Sequence, residues 1–152
     1  MLYLEVETGG HRFALPLETI ERVARAVATT PVTPAPRSVL GVVNVHGEVR
    51  GVLSLRRIAC LEDRPLRPAD RLVMIRLRRR TIALLVDGVH ALREIDPAAL
   101  TSDDALAPPA SPLRGVVPLP DGLLLVQDPD RFLSLEDEAL LEEGLETHRD
   151  GA

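Results

Sequence analysis

The chain has 152 residues, 45% of them hydrophobic. That is one ordinary domain, or two very small ones sharing a core, and at this length folding buries roughly 70% of the unfolded surface without help from a disulfide or metal. The net charge is −5, every basic side chain is Arg, and the only aromatics are Tyr3, Phe13 and Phe132. Such a surface argues against a nucleic-acid interface, and equally against sites that stack bases or sugars on aromatic faces. Cys60 is the only cysteine, so no internal disulfide can form, and it reads as a buried structural thiol. With no signal-like start and no long apolar run, the expected location is the reducing cytoplasm, without membrane insertion.

Along the chain, Leu2-Tyr-Leu-Glu-Val-Glu alternates with period two and predicts a half-buried strand. A turn at residues 8–11 returns it as a second strand over 12–17. Residues 18–23 suggest a short helical turn leading into a strand around 23–28, and the proline-rich stretch 31–36 a stiff extended connection. Residues 41–55 predict a hairpin turning at 44–47, with one helical turn following over 56–60. A charged loop over 62–70 precedes strands at 71–77, 81–86 and 89–95. The run Arg76-Leu-Arg-Arg-Arg80 lies between the first two and reads as a solvated turn, or less simply as a contact for an acidic partner. Residues 96–114 read as a surface loop, and Pro120-Asp-Gly122 as the turn of a last hairpin between 115–119 and 123–127. Helical spacing from Phe132 to Leu145 predicts a C-terminal amphipathic helix over about 130–146, fraying after Gly144.

The chain also repeats itself. Phe13-Ala-Leu-Pro-Leu-Glu-Thr-Ile aligns with Ile82-Ala-Leu-Leu-Val-Asp-Gly-Val at an offset of about 69 residues. Gly41-Val-Val-Asn-Val aligns with Gly115-Val-Val-Pro-Leu at about 74. Two matched blocks in the same order imply two related β units, each too small for a strong core alone, packed through a permanent apolar interface.

Little in the sequence suggests catalysis. Ser54, His46 and Asp87 could in principle form a hydrolase triad, but no Gly-x-Ser-x-Gly elbow holds the serine. His11, His46, His90 and His148 fall on separate elements, so no metal or cofactor is expected. Gly9-Gly10 lacks the Lys of a phosphate loop. Asp87, between a strand and Gly88, reads as a turn former bonded to backbone N–H groups or as a partner contact.

Residues 41–56, Gly-Val-Val-Asn-Val-His-Gly-x-Val-x-x-Val-Leu-x-Leu-Arg, resemble the central motif of CheW-like domains, the coupling proteins of bacterial chemosensory arrays. Residues 13–23 resemble that family's first hairpin. Arg71-Leu-Val-Met-Ile, Leu84-Leu-Val-Asp-Gly-Val89, Leu113-Arg-Gly-Val-Val and residues 123–128 resemble its second half, so the likeness spans about 2–133. It implies a mostly β fold of two SH3-like five-stranded barrel subdomains on a shared apolar core, with short helices and a C-terminal helix. The whole chain, 1–152, would be one such domain, with subdomains at about 15–65 (plus terminal elements) and 70–128. The resemblance also implies a non-enzymatic adaptor between chemoreceptor cytoplasmic tips and the regulatory domain of a CheA-type histidine kinase. The receptor's helical tip would dock in an apolar groove between subdomains, and the kinase domain against a barrel end.

The departures are local. The family's usual Asn-Leu-Arg-Gly is Asn44-Val45-His46-Gly47 here, its Pro and Asp in the following strand are absent from Gly51-Val-Leu-Ser54, and Arg22 stands where Glu is common. Expected partner contacts are Val23, Arg25 and Val27 with Asn44, Val45, His46 and Gly47, and Asp87. The alternatives are a CheW-like module serving another regulatory system, and a β-barrel enzyme pairing Asp87 with a histidine in a deep polar pocket.

Overall fold

The computed structural model describes residues 1–101 and 111–150. Ten strands form two sheets of five. In chain order they are β1 (Leu2–Thr8), β2 (His11–Pro16), β3 (Ile20–Arg25), β4 (Val39–Val45), β5 (Glu48–Ser54), β6 (Arg71–Arg76), β7 (Thr81–Val86), β8 (Gly88–Glu94), β9 (Leu113–Leu119) and β10 (Gly122–Gln127). Two helices complete the fold, α1 (Leu55–Ile58) and α2 (Leu135–Asp150). The section of the expected loop at 102–110 lies outside the described residues.

The first sheet runs β8-β1-β2-β10-β9 and the second β3-β6-β7-β5-β4. Each sheet draws strands from both halves of the chain: the hairpin β1–β2 completes the sheet of β8–β10, and β6–β7 completes that of β3–β5. The division between sheets therefore does not follow the division between halves. The ladders run open, from β8 to β9 and from β3 to β4, so the barrels expected from the sequence are seen as two five-stranded sheets without closure among the described residues.

The repeat is legible residue by residue in the register. Val6 faces Phe13 and Ile75 faces Ile82; Val6 faces Val89 and Ile75 faces Ile20. Val126 pairs in parallel with Ala14 as Val52 does with Ala83, and Gly115 faces Val126 as Gly41 faces Val52. The irregularities match as well, with a bulge in β8 opposite Leu4–Val6 and one in β3 between Ile20 and Arg22. Bulges bend and twist a sheet, so the two sheets curve alike.

Both faces of the central strands are buried, which accounts for their near-continuous apolar sequences. Leu4, Val6, Phe13 and Leu15 of the first sheet meet Leu53, Val73, Ile75, Ile82 and Leu84 of the second in one shared core. The opposite faces hold two smaller clusters, one around Tyr3, Ala14 and Val126, the other around Leu72, Ala83 and Val52 at the matching positions.

Several boundaries moved. Ile20 pairs with Ile75, so β3 begins at Ile20 and only Leu17–Thr19 is helical, as one 3-10 turn. The C-terminal helix starts at Leu135, because Pro129–Arg131 forms a separate 3-10 turn capped by Asp128. Ser134 and Asp137 then exchange side chain-to-backbone hydrogen bonds of 3.0 and 3.1 Å, a reciprocal cap that fixes the helix start. The helix runs on past Gly144 to Asp150, and at Gly144 a methyl group would lie 2.0 Å from the Pro34 carbonyl oxygen. The glycine is there for close packing on the proline segment. Gly144→Ala should cost about 1–3 kcal/mol by overpacking, although Ala is the better helix former, and urea unfolding would read it.

Two side chains depart from expectation. Cys60 is exposed, not buried. It occupies the left-handed position (φ 59°) after α1, where the Leu61 N–H reaches Arg56 and the Cys60 N–H reaches Arg57, closing the helix end. The arginine run is only partly solvated. Arg80 bonds Glu138 at 2.7 Å and Glu142 at 3.0 Å, tying the β6–β7 turn to α2. Arg78 remains exposed beside Asp130.

Candidate protein-interaction surface

The Asn44–Gly47 turn takes its shape from its residues. His46 (φ 50°) and Gly47 (φ 84°) both adopt positive φ between the paired Val45 and Glu48, a two-residue turn that matches strand twist. The Asn44 side chain accepts the Gly47 N–H at 2.8 Å, which locks the turn. His46 contacts the Arg22 guanidinium on β3. That contact brings the β4–β5 turn to the edge carrying Val23 and Arg25, both exposed. Val27 is 53% exposed and shares a hollow with Asn44, Val49 and His148. The structure therefore gathers seven of the expected contact residues, Val23, Arg25, Val27 and Asn44–Gly47, along one end of the second sheet.

Asp87 lies elsewhere. Its carboxylate accepts the Gly9 N–H at 2.8 Å and pairs with Arg56 at 2.6 Å and Arg64 at 2.9 Å. Arg64 in turn holds the buried Asp70 at 2.6 Å. This network ties the β1–β2 turn, α1 and the 62–70 loop to the start of β8. Burial pushes the Asp70 carboxyl up, but the Arg64 hydrogen bonds and the Arg67 N–H outweigh it, and its pKa ends below the ordinary value. Stability from Asp70 is thus fully present above the unfolded carboxylate value of about 3.9 and lost as pH falls through the lower folded one. Asp70→Asn should cost about 2–3 kcal/mol at pH 7, and acid titration of the variant should show a shallower loss of stability below about pH 4.

Ser54, His46 and Asp87 are not brought together. Ser54 is buried and caps α1 through the Arg57 N–H, His46 meets Arg22, and Asp87 is committed to two arginines. No group of three or more His, Cys, Asp or Glu is placed to hold a metal among the described residues. Also among the described residues, no helix is long and apolar enough to cross a membrane.

Two features went unread in the sequence. The exposed apolar residues obey the repeat: Val23 and Val49 on the second sheet correspond to Leu92 and Leu123 on the first, all 38–54% exposed. The known offsets applied to exposed strand positions would have found them. The second is the lining of an apolar groove where the resemblance implied only its existence: an open hollow of about 250 Å³ between the first sheet and the α1 end, lined by Phe13, Ile58, Leu61, Leu113 and Leu125 with His11 at its rim. Its repeat mate is already filled. Ile82, Phe132, Val39 and Gly51 stand where Phe13, Ile58, Leu113 and Leu125 do, and α2 lies there. Leu141 and Leu145 join the core with Ile82, Phe132 and Val39, Leu141 touching Gly51, and Glu138 is held by Arg80 at the position of His11.

A family model described as CheW-like domain matches residues 2–137. The chain belongs to the CheW-like domain family. Proteins of this family are non-enzymatic scaffolds. Among solved structures, the scaffolding protein TtCheW from Thermoanaerobacter tengcongensis has the same fold, with a TM-score of 0.78 at 16% identity over 90% of this chain and 94% of that one. No curated protein matches the chain. Family and fold together support a scaffold role in chemotaxis for this CheW-like protein.

Proposed function

We propose that this CheW-like chain is a cytoplasmic adaptor that couples chemoreceptor tips to a CheA-type histidine kinase, binding each through a separate face. The observation that carries this reading is the open groove whose repeat mate holds the chain's own helix. A surface built to the plan of one that receives an amphipathic helix suits a second helix, here the helical hairpin of a receptor tip. The kinase regulatory domain docks at the end of the second sheet, on Val23, Arg25, Val27 and Asn44–Gly47, where exposed aliphatics sit beside cations. Asp87 supports both faces from behind, by fixing α1 and the 62–70 loop. In this reading each sheet is the body of one SH3-like subdomain, and the two partners take separate surfaces of the pair. Tethering two partners on one small body raises their effective concentration for each other without any catalysis.

His46, in place of the family's usual Arg, retunes the kinase-facing turn and leaves the groove untouched. The test is binding of the full chain to cytosolic receptor fragments and to CheA-type regulatory domains from the same genome. Both should bind. Leu125→Glu in the groove should abolish the receptor interaction alone, and Val23→Arg the kinase interaction alone. Absence of binding to every such fragment would remove the proposal.

A further inference from the structure

The two sheets are related, but their interiors are not equally filled. In the first, Tyr3 and Ile95 occupy the cluster on the outer face, 1% and 5% exposed. The repeat places Leu72 and Ala26 at those positions in the second sheet, where the cluster is otherwise alike in Ala83 and Val52. Two smaller side chains leave space. Beside that cluster, with Leu72 in its wall and Ala26 packed against the cluster alongside Leu40 and Leu85, lies a pocket of about 330 Å³, walled by Leu40, Leu72, Leu85 and Arg64 and open to the surface between Val27 and Leu66, which are 53% and 46% exposed. The wall is unfinished in one further respect, since Nε of Arg64 is buried without a hydrogen-bond partner.

We infer that this pocket is an anchor site for one aliphatic side chain of a docked protein partner. The chain itself shows the class of occupant, because in the related sheet it fills the corresponding cluster with larger apolar side chains of its own. The pocket's mouth argues for a partner protein over a free small molecule. Val27 forms its lip and also lines the adjoining hollow with Asn44 and Val49, so the pocket opens within the surface proposed for kinase docking. Anchors of this kind, an apolar side chain in a desolvated pocket ringed by weaker contacts, carry most of the energy of small interfaces. The identity of the partner rests on the coupling proposal above; the existence of the pocket does not.

The test uses the full chain with methyl-labelled Leu and Val. N-acetyl-leucine amide, the probe, should give saturable shifts confined to Val27, Leu40, Val52, Leu66, Leu72 and Leu85. Ala26→Ile, which restores the side chain carried by the related sheet, should weaken that binding about tenfold or more without lowering the melting temperature. Leu85→Phe fills the pocket from another wall and should act alike if Ala26→Ile folds poorly. Absent shifts, shifts spread over other exposed aliphatics, or equal binding by folded variants would overturn the pocket. In a second arm a CheA-type regulatory domain should perturb the same methyls and bind Ala26→Ile about tenfold more weakly. A regulatory domain that binds without touching those methyls would overturn the anchor. If it does not bind the wild-type chain, the coupling proposal falls and the leucine amide arm still decides the pocket.

Discussion

Leu141→Ala should lower the stability of the fold by about 2–5 kcal/mol, the range for deleting a fully buried leucine and leaving a cavity behind. Leu141 has no exposed surface, lies against the bare backbone at Gly51, and shares the central core with Phe132, Leu133 and Leu145. The site cannot readily collapse, because Arg80 and the Gly144–Pro34 approach hold α2 on either side. The loss is a large part of the roughly 5–15 kcal/mol that stabilises a typical domain, and should lower the melting temperature by on the order of 10 °C. Leu140, at the edge of the same helix and 36% exposed, is the control. Its change to Ala should stay within about 0.5 kcal/mol. Circular dichroism during urea and thermal unfolding measures both.

Gly41→Ala should cost about 2–6 kcal/mol. A methyl group there would sit 2.3 Å from the Thr30 carbonyl oxygen and 2.8 Å from its carbon. Both are backbone atoms, so no side chain can swing aside. Thr30 and Val42 exchange backbone hydrogen bonds of 2.9 and 2.8 Å across this point, and the clash must part them. Two backbone bonds at about 0.5–1.5 kcal/mol each, with about 1–3 kcal/mol of overpacking, give the estimate. The segment carrying Val27 would be released from β4, so partner binding at that end should fall with stability. Hydrogen exchange at the Thr30 and Val42 amides reads the local opening. Gly10→Ala is the contrast: φ is +80° but nothing lies within 4 Å, so it pays only the left-handed cost of about 1–2 kcal/mol.

The strands were legible because their signals are local. Alternation in residues 2–7, the Pro-Asp-Gly turn and the Asn44–Gly47 turn each specify conformation within a few residues. The two halves were legible because the repeat preserves residue types at fixed offsets, and the register confirms those offsets pair by pair. The exchange of hairpins between sheets was not legible. Nothing in the local pattern of β1 or β6 says whether a hairpin joins the strands nearest it in the chain or those of the other half. Arg80 looked like a surface charge because its partners, Glu138 and Glu142, lie far along the chain. Gly144 looked like a helix end because the Pro34 carbonyl that demands a glycine is just as distant. Cys60 read as a buried structural thiol because nothing near it in sequence suggested reactivity, while its place was decided by the helix end it closes.

The expected contact residues divide in the same way. Val23, Arg25, Val27 and the 44–47 turn are drawn together through the Arg22–His46 contact. Asp87, singled out with equal reason, is held by three groups at 2.6–2.9 Å inside the fold. A carboxylate at a strand end looks the same in sequence whether it faces a partner or two arginines. An apolar groove was implied by the resemblance, but its lining residues could not be anticipated from one half alone, since they stand out by comparison with the half that α2 has filled.

Simultaneous binding tests the adaptor account most directly. The full chain, a receptor-tip hairpin fragment and a CheA-type regulatory domain are mixed and resolved by sedimentation velocity with a label on each partner. The account predicts one complex carrying all three, reduced to the kinase pair by Leu125→Glu and to the receptor pair by Val23→Arg. Competition of the two partners for a single face, or loss of both on either substitution, would contradict it.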